Sequence, residues 1–342
     1  MNKVTFYFIV SIATLFLFSC DKNDPAAEIT PPRDYKVQYD TDLKDIEEYL
    51  NTYYITVVNN PGKPDDQDVT MTKIPDGGTQ PSIMSYKDAT TYPKLLFRTV
   101  KLHDVDYKLY YLVLRPGIGE SPCNVDGVFT SYRGDYLSRD ATSKALSTTK
   151  FEENKFPQTF FQFYPSDGTL PKGWSEILPK FKTGSYIKNG DGTVSYNDFG
   201  SGVMFIPSGY GYYDKGYIGI PAYAPLMYSF KLYEIQRLDQ DSDGVPSFQE
   251  DQLDKDRYLY DYRNTINYPT PPEEKIRYAD DTDKDGIPDY LDSDDDGDNY
   301  TTKLEIKNPL TGLPYLYENI PSCDGNTTNP TRIKNYLDKN CH

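Results

Sequence analysis

Apolar positions change their spacing along the chain, and each spacing predicts a different element. From Asp40, residues Leu43, Ile46, Tyr49, Leu50 and Tyr53 recur at intervals of three and four with acids between them, the mark of a short amphipathic helix packed on a core. Asn59 to Gly78, with NNPGKPDDQD and PDGG, reads as loop. Alternation takes over at Tyr107-Lys108-Leu109-Tyr110-Tyr111-Leu112-Val113-Leu114, a strand stopped by Arg115-Pro116-Gly117. Short strands and turns follow, with one helix at Gly173 to Phe181. Beyond Asp239 carboxylates replace the apolar periodicity.

The N-terminal pattern has a separate meaning. MNK, then VTFYFIVSIATLFLF, then Ser19-Cys20 predict a secretory signal over residues 1–19 that ends in a lipobox. The apolar run from Val4 to Phe18 has 15 residues, fewer than the ~20 that span a bilayer. Cys20 is then the lipidated N-terminus, and acyl chains at ~0.8 kcal/mol per buried methylene hold the protein on a membrane. Residues 20–34, including DKNDPAAEITPPRD, form a polar tether. The expected location is the cell envelope, on a bacterial outer membrane, facing the periplasm or the surface.

Charge narrows the partners. Of a net charge of −16 on 342 residues, the stretch Asp239 to Asp298 supplies 20 acidic against 6 basic side chains, which leaves the rest nearly neutral. No basic stripe exists for nucleic acid. With only His103 and His342 and no C-x-x-C, neither a zinc site nor His-dependent nucleophilic catalysis is supported. Cys123, Cys323 and Cys341 allow three pairings with one thiol left over, Cys323 with Cys341 closing a small C-terminal loop.

The acidic stretch is ordered by spacing. DQDSDGVPSFQE follows D-x-D-x-D-G-x5-E, which offers Asp239, Asp241, Asp243, the Val245 carbonyl and Glu250 as oxygen ligands, with Gly244 at the sharp turn. The pattern recurs at Asp281, Asp283 and Asp285 with Gly286, and at Asp292, Asp294 and Asp296 with Gly297, and Asp289 belongs to the same run. Hard oxygen ligands without His or Cys suit calcium, and so many carboxylates repel one another unless a cation offsets them. The run resembles thrombospondin type 3 repeats, which implies structural Ca2+ over residues 237–305, followed by a tail at 306–342.

The central stretch carries a dispersed set of pieces: VFTSYRG (Val128 to Gly134), FEEN (Phe151 to Asn154), FQF (Phe161 to Phe163), LPKGWSEIL (Leu170 to Leu178), IPSGYGYY (Ile206 to Tyr213) and GIPAYAPLMYSFKL (Gly219 to Leu232). In this order they resemble the FKBP family of peptidyl-prolyl cis-trans isomerases. The resemblance implies an α+β domain over residues 106–236, an antiparallel sheet curled around one short helix, with residues 35–105 as an N-terminal extension. Against a minimal family member, Leu137 to Lys150 is an enlarged loop and Tyr186 to Gly202 inserts a hairpin carrying Asn-Gly and Asp-Gly turn signals.

The resemblance also implies a cleft. Tyr132, Phe151 and Phe161 line its walls, Trp174 forms the floor, Ile220 and Tyr228 complete the apolar side, and Tyr212 offers a hydroxyl to a substrate carbonyl. Glu152 stands where the family has aspartate. Leu170 and Pro171 precede Gly-Trp, and Pro171 has no N–H where the family donates one to the ligand. Tyr213 replaces the glycine that follows the family's tyrosine. Such a site needs no cofactor: twisting a prolyl bond removes amide resonance worth ~18 to 20 kcal/mol of barrier, and the less polar twisted state is favoured in an apolar pocket. The implied partners are prolyl segments of exported proteins. A different class remains, a non-catalytic module that binds prolyl segments or spaces and adheres at a surface.

Overall fold

The computed structural model describes residues 31–164, 170–254, 256–264, 277 and 279–341. The signal segment and Cys20 lie outside the described residues. No helix among the described residues is long and apolar enough to cross a membrane. The chain divides into Met1–Arg33 and Asp34–His342, and the second unit holds everything that follows.

The architecture is mixed α/β around a curled antiparallel sheet. Helix α1 (Tyr35–Thr52) begins where the Asp34 carboxylate accepts the Val37 N–H at 3.0 Å, a side-chain N-cap. A small ladder of β1 (Tyr53–Val57) and β2 (Val69–Lys73) follows. The main sheet takes β3 (Lys94–Leu102), β4 (Val105–Arg115), β5 (Gly127–Arg139), β6 (Leu146–Asn154), β10 (Gly200–Ile206) and β11 (Leu226–Gln236) in the order β3-β4-β10-β11-β5-β6, and β7 (Phe161–Gln162) pairs with β5. Residues 94–102, counted in sequence with the N-terminal extension, are thus the edge strand of this sheet. The stretch around Leu137 to Lys150 is mostly strand, β5 and β6 continuing to a turn between Arg139 and Leu146. The hairpin near Tyr186 is β8 (Ser185–Lys188) with β9 (Val194–Asn197).

Both faces of the sheet are covered, which explains why its central strands read as nearly unbroken apolar runs. In β4, Leu109, Tyr111 and Val113 point into one core while Tyr110, Leu112 and Leu114 point into the other. Helix α1 fills the second face with Ile46, Tyr49 and Leu50. The first face receives helix α2 (Gly173–Ile177), continued by a 3-10 turn at Leu178–Lys180. A Cβ on Gly173 would come within 2.7 Å of the Ile206 side chain, so only glycine lets α2 lie this close to β10.

Past Gln236 the described chain runs largely in loops and short turns, among them the one-turn helices α3 (Ser247–Glu250) and α4 (Thr302–Glu305). Several contacts fasten it to the sheet body near Cys123 to Asp126. Asn124 exchanges two hydrogen bonds with the Leu259 backbone (2.7 and 2.9 Å), Cys123 and Val125 pack with Leu259 and Tyr290, and Arg237 pairs with buried Asp126. The thiols of Cys123, Cys323 and Cys341 are all free, Cys341 hydrogen-bonding Cys323.

Candidate functional site

One cavity of about 410 Å³ gathers most of the residues named for the cleft: Tyr132, Phe151, Glu152, Phe161, Leu170, Trp174, Tyr212 and Tyr228, together with Tyr217 and Ile218. The elements place them as follows. Tyr132 stands on β5 and Tyr228 on neighbouring β11. The β5–β6 register slips between Gly134–Glu152 and Asp135–Lys150, so Phe151 is an extra, bulged residue whose ring is turned back over the sheet. That ring lies on Gly134, where a Cβ would be 2.4 Å away from it.

Trp174 is 1% exposed, and its neighbours meet it edge-on. The rings of Tyr132 and Tyr228 each lie 5.1 Å from the indole, at 85° and 82°, and Phe161 lies at 5.9 Å. Edge-to-face packing aims ring hydrogens at the π faces and fixes each ring's tilt. The indole N–H has no hydrogen-bond partner among the described residues, an uncommon state for a buried donor.

Two hydroxyl pairs edge the cavity. Tyr132 donates to the Glu152 carboxylate, so the methylene that glutamate adds over aspartate leaves this bond made. Tyr228 is bonded to Tyr212. Burial first, then Glu152 beside Tyr132 and Tyr212 beside Tyr228, push both phenols well above the ordinary range and keep them as neutral donors. Leu170 lines the cavity. Pro171 is buried, and its carbonyl accepts the Trp174 N–H at 3.0 Å.

Ile220 is 5% exposed and packs in the same core without lining the cavity. It closes a tight turn with Tyr217, each donating its N–H to the other's carbonyl (3.1 and 2.8 Å), and Gly219 inside it has φ +78°. The turn stacks Tyr217 on Tyr212 at 4.6 Å and leaves Ile218 87% exposed at the rim. The sequence reading missed Tyr217 and Ile218. The glycine in YIGI was the available signal, since a positive-φ turn next to the GIP motif brings the preceding residues to the mouth.

Tyr213 takes φ +44° and turns its ring away from the cavity. It stacks on Tyr35 of α1 at 4.1 Å, and Tyr35 stacks in turn on His103 at 3.7 Å. Aromatic stacking thereby offsets left-handed strain at a position suited to glycine. Helix α1 grips the same loop a second time through Asp42, whose carboxylate accepts the Ser208 N–H and hydroxyl (2.7 and 2.6 Å) and Gln38 (2.6 Å). Burial pushes Asp42 up to about 6 in spite of these bonds.

Helix α2 is held from beneath. Glu176 accepts from Arg98 of β3 and from the Tyr258 hydroxyl, both at 2.9 Å, and Arg98 also pairs with Asp256 at 2.5 Å. Tyr258 and Asp256 belong to the segment between the acidic loops, so that segment braces the helix that carries Trp174.

The acidic loops share one backbone scheme. The N–H of the sixth residue reaches the first carboxylate in each: Gly244 to Asp239 at 3.0 Å, Gly286 to Asp281 at 3.4 Å, and Asn299 to Asp294 at 3.0 Å. The seventh residue donates to the fifth: Val245 to Asp243, Ile287 to Asp285, Tyr300 to Asp298. All three sixth residues have positive φ. Carboxylate oxygens converge in three groups, Asp241, Asp243, Glu250 and Asp295; Asp281, Asp283 and Asp285; and Asp294, Asp296 and Asp298. The third group takes its register from Asp294, where the sequence reading began at Asp292. Asp292 accepts the Asp294 N–H and Asp289 accepts from Thr282. Asp239 spends its oxygens on Ser242 and Gly244, and the Val245 side chain is buried with Ile306.

These groups fit a hard cation. Oxygens of Asp241, Asp243, Glu250, Asp295, Asp296 and Glu305 are buried without a hydrogen-bond partner among the described residues. Burial, then neighbouring carboxylates, push Asp241 up to about 8 and Asp295 up to about 11.

Comparison with known proteins gives partial likenesses. Residues 240–330 match the family model described as BamM C-terminal. No curated protein gives a significant match. Among solved structures, a peptidyl-prolyl cis-trans isomerase from Pseudomonas syringae pv. tomato is 17% identical, with 45% of this chain and 86% of that one covered and a TM-score of 0.29. FkpA from Escherichia coli is 22% identical over 44% of this chain and 55% of its own, TM-score 0.28. The N-terminal domain of FKBP42 from Arabidopsis thaliana is 16% identical over 43% and 98%, TM-score 0.29.

Proposed function

We propose that the cavity over Trp174 binds prolyl segments of exported or envelope proteins and speeds cis-trans isomerisation of their X-Pro bonds. The observation that carries this reading is the convergence of Tyr132, Phe151, Phe161, Trp174 and Tyr228 on one apolar cavity with Tyr212 at its edge. The proline ring rests on the indole, and the ring edges around it exclude water. As the amide twists it loses resonance and charge separation, so the apolar wall favours the twisted state over the planar one. A tyrosine hydroxyl at the edge holds the carbonyl on one side of the bond. A protease-coupled prolyl-peptide assay tests the reading: turnover above the uncatalysed rate, lost on Trp174→Ala, is expected, and wild-type turnover no faster than buffer sinks it.

Pro171 favours a second reading, binding without substantial turnover. The family's backbone donor to the ligand is missing at that position. Prolyl-peptide binding seen by calorimetry together with a flat isomerase assay selects this alternative.

The remainder of the proposal concerns placement. Lipidation of Cys20 holds the chain on an envelope membrane, and calcium occupies the acidic loops. Asp239, Asp241, Asp243, the Val245 carbonyl and Glu250 would hold one ion, the loops at Asp281 and Asp294 would hold others, and each ion would supply the positive charge that lets buried carboxylates stay ionised. Cys20→Ser should release the protein from the membrane fraction or leave the signal uncleaved; an unmodified mature N-terminus downstream of Cys20 overturns the anchor.

A further inference from the structure

We infer that Asp295 is a ligand shared across loops: it completes the cation site of the Asp239–Glu250 loop, while the residues on either side of it, Asp294 and Asp296, serve the next site. The inference rests on the reading of these loops as calcium sites and names how two of them are joined.

Three consecutive residues divide between two clusters. Asp294 and Asp296 converge with Asp298, and Asp295 converges with Asp241, Asp243 and Glu250, the ligand oxygens of each group lying within 4.8 Å of one another. Asp295 is 1% exposed and neither of its oxygens has a hydrogen-bond partner among the described residues. A carboxylate so placed, 45 or more residues in sequence from the acids it faces, has no purpose in the turn that carries it. Asp243, also 1% exposed, leaves one oxygen unpartnered on the other side of the same cluster. Buried acids are tolerated when paired or when they coordinate a metal, and the donor set here is all oxygen, which suits calcium.

The two loops are already set against each other. The hydroxyl of Thr302, in α4, bonds Asp243 and accepts the Asp295 N–H at 3.4 Å. Lys303 reaches the Ser242 carbonyl at 3.1 Å, and Val245 packs with Ile306. An ion in the first site therefore pins the third loop in the form its own ion needs, so the two sites fill cooperatively.

Calcium titration of the full chain in detergent, followed by calorimetry and by hydrogen exchange read peptide by peptide, tests this. Asp295→Asn should weaken calcium binding about tenfold or more and abolish calcium-induced protection of residues 239–250, while residues 281–292 keep theirs. It should also remove most of the calcium-induced rise in Tm without lowering Tm in chelator. Because that variant can fail to fold, Glu250→Gln gives the reciprocal reading: a shared site requires loss of calcium-induced protection at residues 292–305, far from the substitution in sequence. Unchanged protection of 239–250 in Asp295→Asn, an equal fall in Tm with and without calcium, or protection at 292–305 untouched by Glu250→Gln overturns the sharing and leaves separate calcium loops standing. A wild-type chain with no calcium heat and no protection overturns both readings.

Discussion

Every residue of β10, from Gly200 to Ile206, is buried, and so are Asp243, Asp295 and Asp296 in the C-terminal loops. The strand buries glycine, serine and aliphatic or aromatic groups, with ladder partners for its backbone on both sides. Its stability comes from apolar area leaving water, roughly 25 cal/mol per Å². The loops bury charge instead, and their regular features are turns held by N–H-to-carboxylate bonds. Desolvating an unpaired carboxylate costs several kcal/mol, so equal burial has opposite energetic signs in the two regions. Burial stabilises the sheet, whereas burial of these carboxylates does not by itself stabilise the loops.

The comparison can be broken most severely by chelation. Removing calcium should open residues 239–305 to limited proteolysis while the sheet body stays protected, and equal cleavage with and without calcium would put both regions in the same energetic class. Next in size is Trp174→Ala, which should cost about 3–5 kcal/mol in denaturant unfolding because a buried indole leaves a cavity ringed by Tyr132, Tyr228 and Phe161; the loops should keep their calcium response. A smaller effect belongs to His103, in the turn between β3 and β4, where it stacks on Tyr35 of α1. Burial, then Lys172, depress His103 from an ordinary 6.5 to about 4, so the fold favours the neutral ring. Its contribution is complete above about pH 6.5 and is lost as pH falls through about 4. His103→Phe keeps a ring against Tyr35 and should flatten the Tm profile across that window relative to wild type. Smallest is Tyr212→Phe, which removes the bond to Tyr228, worth ~0.5–1.5 kcal/mol, and should lower Tm by about a few degrees and isomerase turnover modestly; wild-type turnover would mean that the hydroxyl takes no part in the reaction.

Local periodicity was enough to read β4 and α1, because alternation and three-to-four spacing are properties of adjacent residues. The aromatic set of the cleft was legible through its ordered motifs, each tied to a particular element. What escaped was set by distance along the chain. Nothing near Tyr213 announces that Tyr35 will stack on it from 178 positions upstream, and nothing in β3 announces that it is the sheet's edge rather than part of a separate extension. The third acidic loop escaped for a different reason. DSDDDGDN satisfies the D-x-D-x-D spacing from either Asp292 or Asp294, and both Gly297 and Asn299 take the positive φ that marks the turn. Only the partners of the neighbouring chain segments decide between them.

The stack of Tyr35 on Tyr213 also has a mechanical meaning. The chain enters its fold at α1, and the first residue of that helix rests on the neighbour of Tyr212. A pull applied ahead of Asp34 would load the Asp34 cap and the Tyr35 ring first, then the Asp42–Ser208 bonds two turns further on. The start of α1 and the loop that carries Tyr212 are thus in series, and such a pull would reach that loop through the Tyr35 ring while the Tyr39 hydroxyl, which accepts the Lys108 N–H at 2.8 Å, passes it to β4.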